Sequence, residues 1–266
     1  MIVARHHLAP AVWDAYVEAH PQGWVWHLSS WLDYLKAGGR EDASVARLDG
    51  VGAGAVIGIC PALLPVPADD PLPEALGDDW VTDWPTRSQP QPEGRAHGFA
   101  TRVIDLSLSE ADLWRGIRRS YHALIHRAEE RYTVRLEPNL DGLALLYRQR
   151  HDLPQISDAQ WACLTRIQRD GRLRVYGAND ALCDLVGAVG IYIWKGWAYY
   201  GAGRTLHADG VAHMLQWHTM QALKAEGVPH YEVGWEYRPG IDDEKAKQIA
   251  FFKQGLTQTR WWVSVT

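Results

Sequence analysis

The stretch of sequence that decides the fold runs from Cys183 to Gly203 and is Cys-Asp-Leu-Val-Gly-Ala-Val-Gly-Ile-Tyr-Ile-Trp-Lys-Gly-Trp-Ala-Tyr-Tyr-Gly-Ala-Gly. Two runs of apolar and aromatic residues stand on either side of Lys195-Gly196, a dipeptide typical of a tight turn, so this stretch predicts a β-hairpin. A further strand is predicted just before the hairpin, from Leu173 to Ala178. The three strands are expected to form an antiparallel meander.

The sequence after the meander alternates between helix and strand. Asp209 predicts the start of an amphipathic helix that ends at Gly227. A strand is then predicted from Tyr231 to Val233, a helix from Asp242 to Gln254, and a last strand from Trp261 to Val265. A meander followed by a β-α-β unit predicts an α/β fold in which helices flank a mixed, mostly antiparallel sheet.

The first half of the chain has weaker patterns. A helix is predicted after Ser29-Ser30, residues typical of an N-cap, and it ends at Gly38-Gly39. Eight of the 14 prolines lie between Pro61 and Pro92. This composition predicts a long loop with at most one strand, near Trp80 to Trp84.

Composition is typical of a globular protein. The chain has 266 residues, of which 47% are hydrophobic and 22% are charged, and these values exclude wholesale disorder and a coiled-coil rod. The longest apolar run is about ten residues, too short for a membrane span, and the N-terminus lacks the apolar core of a signal peptide. Three cysteines at wide spacing predict neither a disulfide framework nor a zinc cluster. A cytoplasmic protein is therefore expected.

Positive charge is concentrated in one segment of a chain whose net charge is −5. Between Arg115 and Arg174 there are 12 arginines and 7 acidic residues. One long helix is predicted here, from the capping pattern Ser107-Leu-Ser-Glu to about Arg131. Its basic residues recur at three- and four-residue steps and therefore share a face. That face is either a solvated surface or a stripe that contacts an anion such as a nucleotide, CoA or the end of a tRNA.

Five segments carry recognisable motifs, of which the most specific is Gln248-Ile-Ala-Phe-Phe-Lys-Gln-Gly255. The others are Gly227-Val-Pro-His-Tyr-Glu-Val-Gly234, Trp197 to Arg204, Ala212 to Trp217, and Ser29 to Gly38. Together they resemble motifs of the FemABX-like peptidoglycan aminoacyltransferases, whose signatures include G-I-x-x-F-K-x-G-F and the strand G…Y-D-hydrophobic-G. The predicted order of elements is that of an N-acetyltransferase-like (GNAT) domain, and the likeness covers nearly the whole chain.

This resemblance implies two GNAT-like lobes, an N-terminal lobe at residues 1–106 and a C-terminal acyltransferase lobe at residues 107–266. It also implies transfer of an acyl or aminoacyl group to an amine. The sequence departs from the family at Leu256 and Thr257, where Phe and Gly are usual. After Arg204 it also lacks the loop that presents backbone N–H groups to a pyrophosphate in ordinary acetyltransferases. That absence counts against standard binding of acetyl-CoA.

The implied reaction has one candidate cation and one candidate carboxylate in the sequence. Attack of an amine on an ester or thioester creates an oxyanion, which a positioned cation or N–H donor stabilises. Lys253, in the Phe-Lys motif, is the candidate cation, and the alternative is an ordinary surface lysine. Glu232 is the candidate that orients the amine or takes its proton, and the alternative is a strand-end carboxylate paired with an arginine.

The remaining candidate residues form two groups. The candidates for substrate binding are Tyr199, Tyr200, Arg204, Trp235, Tyr237 and Phe252. Packing in the core is the alternative role for the aromatic residues among them. The candidates for binding the donor are Arg118, Arg119, His122 and Arg127. Histidine spacing predicts no metal site, and no resident cofactor is expected because the donor is itself a co-substrate.

Three functions remain open on the sequence. The first is an aminoacyltransferase that uses the acceptor end of an aminoacyl-tRNA to modify a cell-wall precursor or a small metabolite. The second is an N-acyltransferase that uses acyl-CoA on the same fold. The third is a non-catalytic binding protein that retains the two lobes. The basic segment and the absent pyrophosphate loop favour the first over the second, and Lys253 within its motif favours either enzyme over the third.

Overall fold

The computed structural model describes residues 2–21, 23–48, 56–60, 63–65, 86–88, 98–149, 155–206, 208–238 and 242–264. The chain divides into two compact units. Unit 1 comprises Met1–Thr86, Ile156–Ile167 and Ser264–Thr266, and unit 2 comprises Arg87–Gln155 and Gln168–Val263. The strand predicted near Trp80 to Trp84 lies outside the described residues.

The described residues form helices and strands in the following order. The α-helices are α1 (Pro10–Ala19), α2 (Ser29–Ala37), α3 (Glu110–Gly116), α4 (Arg119–Glu129), α5 (Asp141–Gln149), α6 (Asp158–Arg169), α7 (Val211–Ala225) and α8 (Glu244–Gln254). The strands are β1 (Ile2–Ala4), β2 (Arg40–Asp42), β3 (Val45–Leu48), β4 (Val56–Cys60), β5 (Leu63–Pro65), β6 (Thr86–Ser88), β7 (Gly98–Asp105), β8 (Thr133–Leu136), β9 (Leu173–Asn179), β10 (Leu185–Trp194), β11 (Trp197–Thr205), β12 (His230–Trp235) and β13 (Arg260–Ser264). No helix among the described residues is both long and apolar enough to cross a bilayer.

Unit 1 contains two small sheets with α1 and α2 beside them. Strands β1, β3 and β4 pair antiparallel, and β2 pairs with β5. Helix α2 begins at Ser29, whose backbone N–H and hydroxyl both donate to the carboxylate of Asp14 in α1, each at 2.7 Å. The N-cap position is Leu28, whose side chain makes no capping bond. The prediction of a serine cap is therefore wrong, because a carboxylate from the preceding helix accepts the hydrogen bonds instead.

A buried arginine connects several elements of unit 1. The guanidinium of Arg5 lies 2.7 Å from Asp33 and 2.5 Å from Asp42, and Arg166 of α6 lies 2.9 Å from Asp33. Two carboxylates thus compensate a guanidinium that is almost fully removed from water, which is the condition for burying such a charge.

Unit 2 is built on a sheet whose strand order is β6-β13-β7-β12-β11-β10-β9-β8. Strands β9, β10 and β11 form the predicted antiparallel meander, and β11 pairs with β12 in parallel through the crossover helix α7. The prediction of a mixed, mostly antiparallel sheet is confirmed. Register places Ala198 beside Tyr231 on one face of the sheet and Tyr199 beside Glu232 on the other.

The face that carries Ala198 and Tyr231 packs against helices α3, α4 and α7. Helix α7 buries Met214, Leu215 and Met220 completely in this core. The hydroxyl of Tyr231 is also buried and donates to the amide oxygen of Gln216 at 2.6 Å, so its burial costs no unpaired donor. The opposite face of the sheet carries Tyr199 and Glu232.

The division into units differs from the predicted boundary at residue 106. Strand β7 pairs antiparallel with β12, with Asp105 opposite His230 and Thr101 opposite Trp235, so it belongs to the sheet of unit 2. Most of helix α6 belongs to unit 1 instead. Pairing between strands about 130 residues apart leaves no local pattern, and for this reason the sequence does not reveal it.

The predicted long basic helix is two helices. Ile117 is extended and Arg118 is non-helical between α3 and α4. Ile117 is buried, and the backbone N–H of Arg118 donates to the carbonyl of Gly255 at 2.8 Å. The bond to Gly255 takes the place of a helical hydrogen bond. Arg115 therefore lies on a different helix from the basic residues of α4.

Helix α7 also begins differently from the prediction. Gly210, in the left-handed conformation, occupies the N-cap position, and no side chain caps the helix there. A β-carbon at Gly210 would collide with the carbonyl oxygen of Leu124 in α4, so both space and conformation require glycine. Asp209, predicted as the cap, pairs with Arg127 at 3.2 Å.

Candidate active site

The parallel strands β11 and β12 separate soon after they begin. Their pairing covers only three residue pairs and ends at Tyr199 opposite Glu232, although β11 continues to Thr205 and β12 to Trp235. Beyond this point β12 has a register shift against β7, between Glu232 and Gly234. The carboxyl ends of parallel strands are where α/β folds bind ligands, because backbone groups and side chains there converge on open space. The gap between these two strands is therefore the candidate position for a ligand site.

Gly234 makes room for the side chain of Lys253 at this gap. Its backbone has a φ of +98°, a conformation that residues with side chains rarely adopt. A β-carbon on Gly234 would lie 2.7 Å from Lys253 Nζ and 3.6 Å from the hydroxyl oxygen of Tyr199. The missing side chain therefore leaves the space that the ammonium group of Lys253 occupies, beside the phenol of Tyr199.

Glu232 is close to Lys253 and Tyr199, and it is 1% exposed. Its Oε1 accepts a hydrogen bond of 2.9 Å from the hydroxyl of Thr101, which is itself completely buried. Register places Glu232 on the same side of the sheet as Tyr199. A carboxylate is thus held in a fixed position below the gap.

Burial and the charge of Glu232 act on Lys253 in opposite directions. Burial lowers the pKa of the Lys253 ammonium group, because it removes water from the charged form, and the nearby carboxylate of Glu232 raises that pKa. Burial is the larger effect. No carboxylate in the described part of the chain forms an ion pair with Lys253.

A cavity of about 250 Å³ opens in front of Lys253. It is lined by Tyr199, Trp235, Glu236, Asp242, Ala246, Ile249 and Lys253. Asp242 is held by Arg238 through a backbone bond of 2.6 Å and a side-chain bond of 2.8 Å, and Arg238 lowers the pKa of Asp242. The cavity thus combines an apolar wall, a positive charge and fixed negative charges.

The structure brings together four of the predicted site residues. Lys253, Tyr199 and Trp235 line the cavity, and Glu232 lies behind Lys253. Phe252 lies next to them in sequence but packs on the rings of Tyr121 and His213, with ring centroids 6.1 and 5.1 Å apart. Its contribution is to hold α8 against α4 and α7.

Three other predicted substrate-binding residues lie elsewhere. Tyr237 lines a second cavity on another side of α8. Tyr200 packs against the helix-covered core, where burial raises the pKa of its hydroxyl to about 12. The guanidinium of Arg204 lies 3.8 Å from the centre of the Tyr147 ring. Consecutive strand residues point to opposite faces, so Tyr199 and Tyr200 do not share a pocket.

The predicted donor-binding residues lie along α4 and make different contacts. The guanidinium of Arg118 lies 4.0 Å from the centre of the Phe251 ring, which places it beside α8, and Arg119 is exposed. His122 stacks on Trp114, with its Nε2 3.0 Å from the carbonyl oxygen of that residue. Arg127 pairs with Asp209. Arg118 alone of the four contacts the helix that carries Lys253.

Sequence reasoning misses several residues of this site. Thr101 positions Glu232 from 131 positions away, and no local pattern could show it. Glu236 and Asp242 follow β12 and are absent from the predicted set, although an acidic residue next to an expected site is a usable signal. Gly234 stands out in the sequence only as part of a motif. Within the described ranges, no group of three His, Cys, Asp or Glu side chains is arranged to hold a metal ion.

Comparisons with known proteins agree with this architecture. No protein-family model matches the sequence, and no curated protein does. Among solved structures, the crystal structure of FemX superposes with a TM-score of 0.62 at 12% identity, covering 100% of this chain and 97% of FemX. A tandem GNAT protein from the clavulanic acid biosynthesis pathway matches with a TM-score of 0.48 at 14% identity, covering 100% of this chain and 97% of that one. L-PGS from Bacillus licheniformis matches with a TM-score of 0.45 at 15% identity, covering 64% of this chain and 59% of that one.

The likeness to FemX extends over both chains at low sequence identity. At that identity, what the two proteins share is the fold. The expected α/β fold class, in which helices flank a mixed and mostly antiparallel sheet, is confirmed.

Proposed function

We propose that the protein is an acyltransferase that moves an acyl or aminoacyl group from an activated ester or thioester to an amine. The observation that carries this proposal is the position of Lys253 Nζ, against Gly234 and beside the hydroxyl of Tyr199, at the open end of two parallel strands. The cavity in front of Lys253 has room for a small reacting group. The FemX fold and the motifs around Lys253 support the same class of reaction.

The geometry is suited to direct transfer of the acyl group from the donor to the amine. The amine nitrogen forms a bond to the acyl carbon, and the carbonyl electron pair moves onto oxygen, which becomes an oxyanion beside Lys253. The oxyanion then collapses and expels the ester oxygen or thioester sulfur, which takes up the proton that the amine loses. A preorganised cation acts mainly on this charged intermediate and the transition states around it.

Tyr199 and Glu232 have different roles in this scheme. The phenol of Tyr199 faces the same space as Lys253 Nζ and can pass a proton to the leaving group. Glu232 is too deeply buried to meet an acceptor from the cavity side, so we assign it as a positioning residue. Its charge favours the protonated form of the Lys253 ammonium group, and Thr101 fixes the orientation of the carboxylate.

Aminoacyl-tRNA is the donor that we favour. Arg118 and Arg119 lie where α4 begins, and Arg118 contacts α8 through Phe251. Recognition of an acceptor end needs a local patch of such residues, which is compatible with a negative net charge. The acceptor is an amine of a cell-wall precursor or of a small metabolite.

Acyl-CoA is the second candidate donor, and one observation favours it. Helix α7 begins without a side-chain cap, although the N–H of Val211 donates to the carbonyl of Ala208 at 3.4 Å, and the N-terminus of a helix is a favourable position for a phosphate. The two donors differ in what they require: a tRNA donor requires phosphate binding by α4, whereas CoA requires phosphate binding at α7.

A transfer assay with Lys253→Met tests the proposed reaction. Candidate amines are incubated with charged tRNAs or acyl-CoAs, and product is detected by its mass shift. Methionine keeps the length and apolar stem of lysine, so folding should survive while kcat falls about 10²- to 10³-fold, the usual cost of losing one oxyanion donor. Lys245→Met, an exposed lysine on the same helix, is the matched control and should behave like the wild type. A folded Lys253→Met enzyme that retains about a third of wild-type kcat would falsify the assignment.

Gly234→Ala tests whether the space above Gly234 matters for activity. The new β-carbon should displace the ammonium group of Lys253 and lower kcat nearly as far as Lys253→Met does. Gly227→Ala is the matched control, because Gly227 also has a positive φ but no atom lies within 4 Å of the added carbon. Each variant should lose about 1–3 kcal/mol of stability from backbone strain, measured by urea unfolding. Equal activity in the two variants would show that the proximity of Gly234 to Lys253 is unimportant.

Arg118→Ala/Arg119→Ala tests the donor. If tRNA is the donor, binding should weaken, and its log–log salt dependence should flatten by about one unit for each phosphate that the variant no longer neutralises. Arg131→Ala, just beyond the other end of α4, is the control and should leave the slope unchanged. Unchanged tRNA affinity in the double variant would remove α4 from the donor site, and rapid turnover of acyl-CoA without RNA would establish the second candidate.

A further inference from the structure

A second cavity of about 250 Å³ lies on another face of α8 from Lys253. From the helix, Lys247, Phe251 and Gln254 line it. Glu236 lines both this cavity and the cavity in front of Lys253, so the two cavities adjoin. A ligand that reacts at Lys253 therefore has neighbouring space for a second part of the same molecule.

Exposed apolar side chains are concentrated at these two cavities. Trp235 and Ile249 line the first cavity, and each is 43% exposed. Phe251 lines the second cavity and is 61% exposed. Single exposed apolar residues are ordinary on a protein surface, whereas a group of them around one site is typical of a binding surface.

A guanidinium group lies against the ring of Phe251. The Cζ atom of Arg118 is 4.0 Å from the centre of this ring, and Arg118 Nη1 donates to the hydroxyl of Tyr121 at 3.2 Å. Because Phe251 remains 61% exposed, most of the opposite face of its ring is open. An open aromatic face on a positively charged surface is where proteins stack the bases of single-stranded nucleic acids, and arginine strengthens such stacking.

Polar groups at the edge of the second cavity match a nucleotide. Gln254 lies three residues after Phe251 and so on the same face of α8. Its carbonyl accepts from Gln258, and in the described part of the chain its side-chain amide makes no hydrogen bond. An amide offers both a donor and an acceptor to the edge of a base. Lys247 is 56% exposed and pairs only with the more exposed Glu244, so its ammonium group is free to meet a phosphate.

The separation of Phe251 from Lys253 indicates which nucleotide fits. The two residues are two positions apart on α8, a rise of about 3 Å along a helix. In an aminoacyl-tRNA, the ester is on the ribose that also carries the terminal adenine. In an acyl-CoA, the pantetheine arm separates the adenine from the thioester. A base next to the reacting carbonyl therefore fits the terminal nucleotide of a tRNA better than it fits CoA.

We propose that the terminal adenine of the donor stacks on Phe251, with Gln254 at the edge of the base. The acyl group on the same ribose then lies at Lys253. This inference rests on the proposed function and deepens it, because it names the part of the donor that the second cavity binds.

Binding of the ribotrinucleotide CCA to the whole protein tests the inference. CCA carries no acyl group, so its binding is measured apart from transfer. The chain has three phenylalanines, so ¹³C-labelled phenylalanine gives a simple NMR spectrum in which Phe251 is assigned by the loss of its signals in Phe251→Leu. CCA should shift the ring signals of Phe251 upfield and saturably. Ribose 5-phosphate, which has a phosphate without a base, should leave them unchanged, and CoA should bind more weakly than CCA.

Variants of α8 locate the binding by calorimetry. Phe251→Leu should weaken CCA binding at least about fivefold, the lower range for the loss of one stacked base. Phe251→Trp keeps an aromatic face and should bind at least as tightly as the wild type. Lys245→Met and Lys253→Met should bind CCA like the wild type. In the transfer assay, Phe251→Leu should raise the KM for charged tRNA more than it lowers kcat.

The outcomes separate this inference from the proposed function. The inference is overturned if CCA gives no saturable shift at Phe251, if ribose 5-phosphate binds as well as CCA, if CoA binds more tightly, or if Phe251→Leu binds CCA like the wild type. CCA binding at Phe251 without transfer from any donor would instead overturn the reaction and leave the base-binding site in place.

Discussion

The ammonium group of Lys253 sits where β11 and β12 separate, partly removed from water and close to the buried carboxylate of Glu232. An ammonium group in such a place is costly unless a fixed negative charge compensates for the lost water. Glu232 supplies that charge, and the hydroxyl of Thr101 fixes it. Lys253 thus lines the cavity next to a fixed negative charge.

Several other features of unit 2 follow from placing Lys253 there. Gly234 needs a positive φ and no side chain, since the ammonium group occupies the space where its β-carbon would be. Helix α8, which has no fully buried residue, is held at its end by the packing of Phe252 on Tyr121 and by the bond from Arg118 to Gly255. That bond also explains the break between α3 and α4. One local requirement thus accounts for a glycine, a helix break and the anchoring of a surface helix.

The sequence predicts the parts of this arrangement that depend on local pattern. The meander, the crossover helix and α8 follow from periodicity and turn residues. Lys253, Tyr199 and Trp235, three of the predicted site residues, line one cavity, and Glu232 is close to Lys253. Strand register determines which side chains share a face of the sheet, and the sequence alone does not show that register. Tyr200 belongs to the opposite face from Tyr199, and Arg204 lies against Tyr147. Hydrogen bonds across more than a hundred residues, such as that of Thr101 with Glu232, leave no trace in local spacing.

The pKa of the Lys253 ammonium group tests the account most directly. The chain has only six lysines, so NMR of selectively labelled lysine can follow each ammonium group, with Lys253 assigned by Lys253→Met. The pKa of Lys253 should lie below the ordinary value of 10.5, because burial outweighs the charge of Glu232. In Glu232→Gln the pKa should decrease further, since that change removes the one effect that raises it. An ordinary pKa, or one that Glu232→Gln leaves unchanged, would contradict the electrostatic coupling of Lys253 to Glu232 and the roles assigned to both residues.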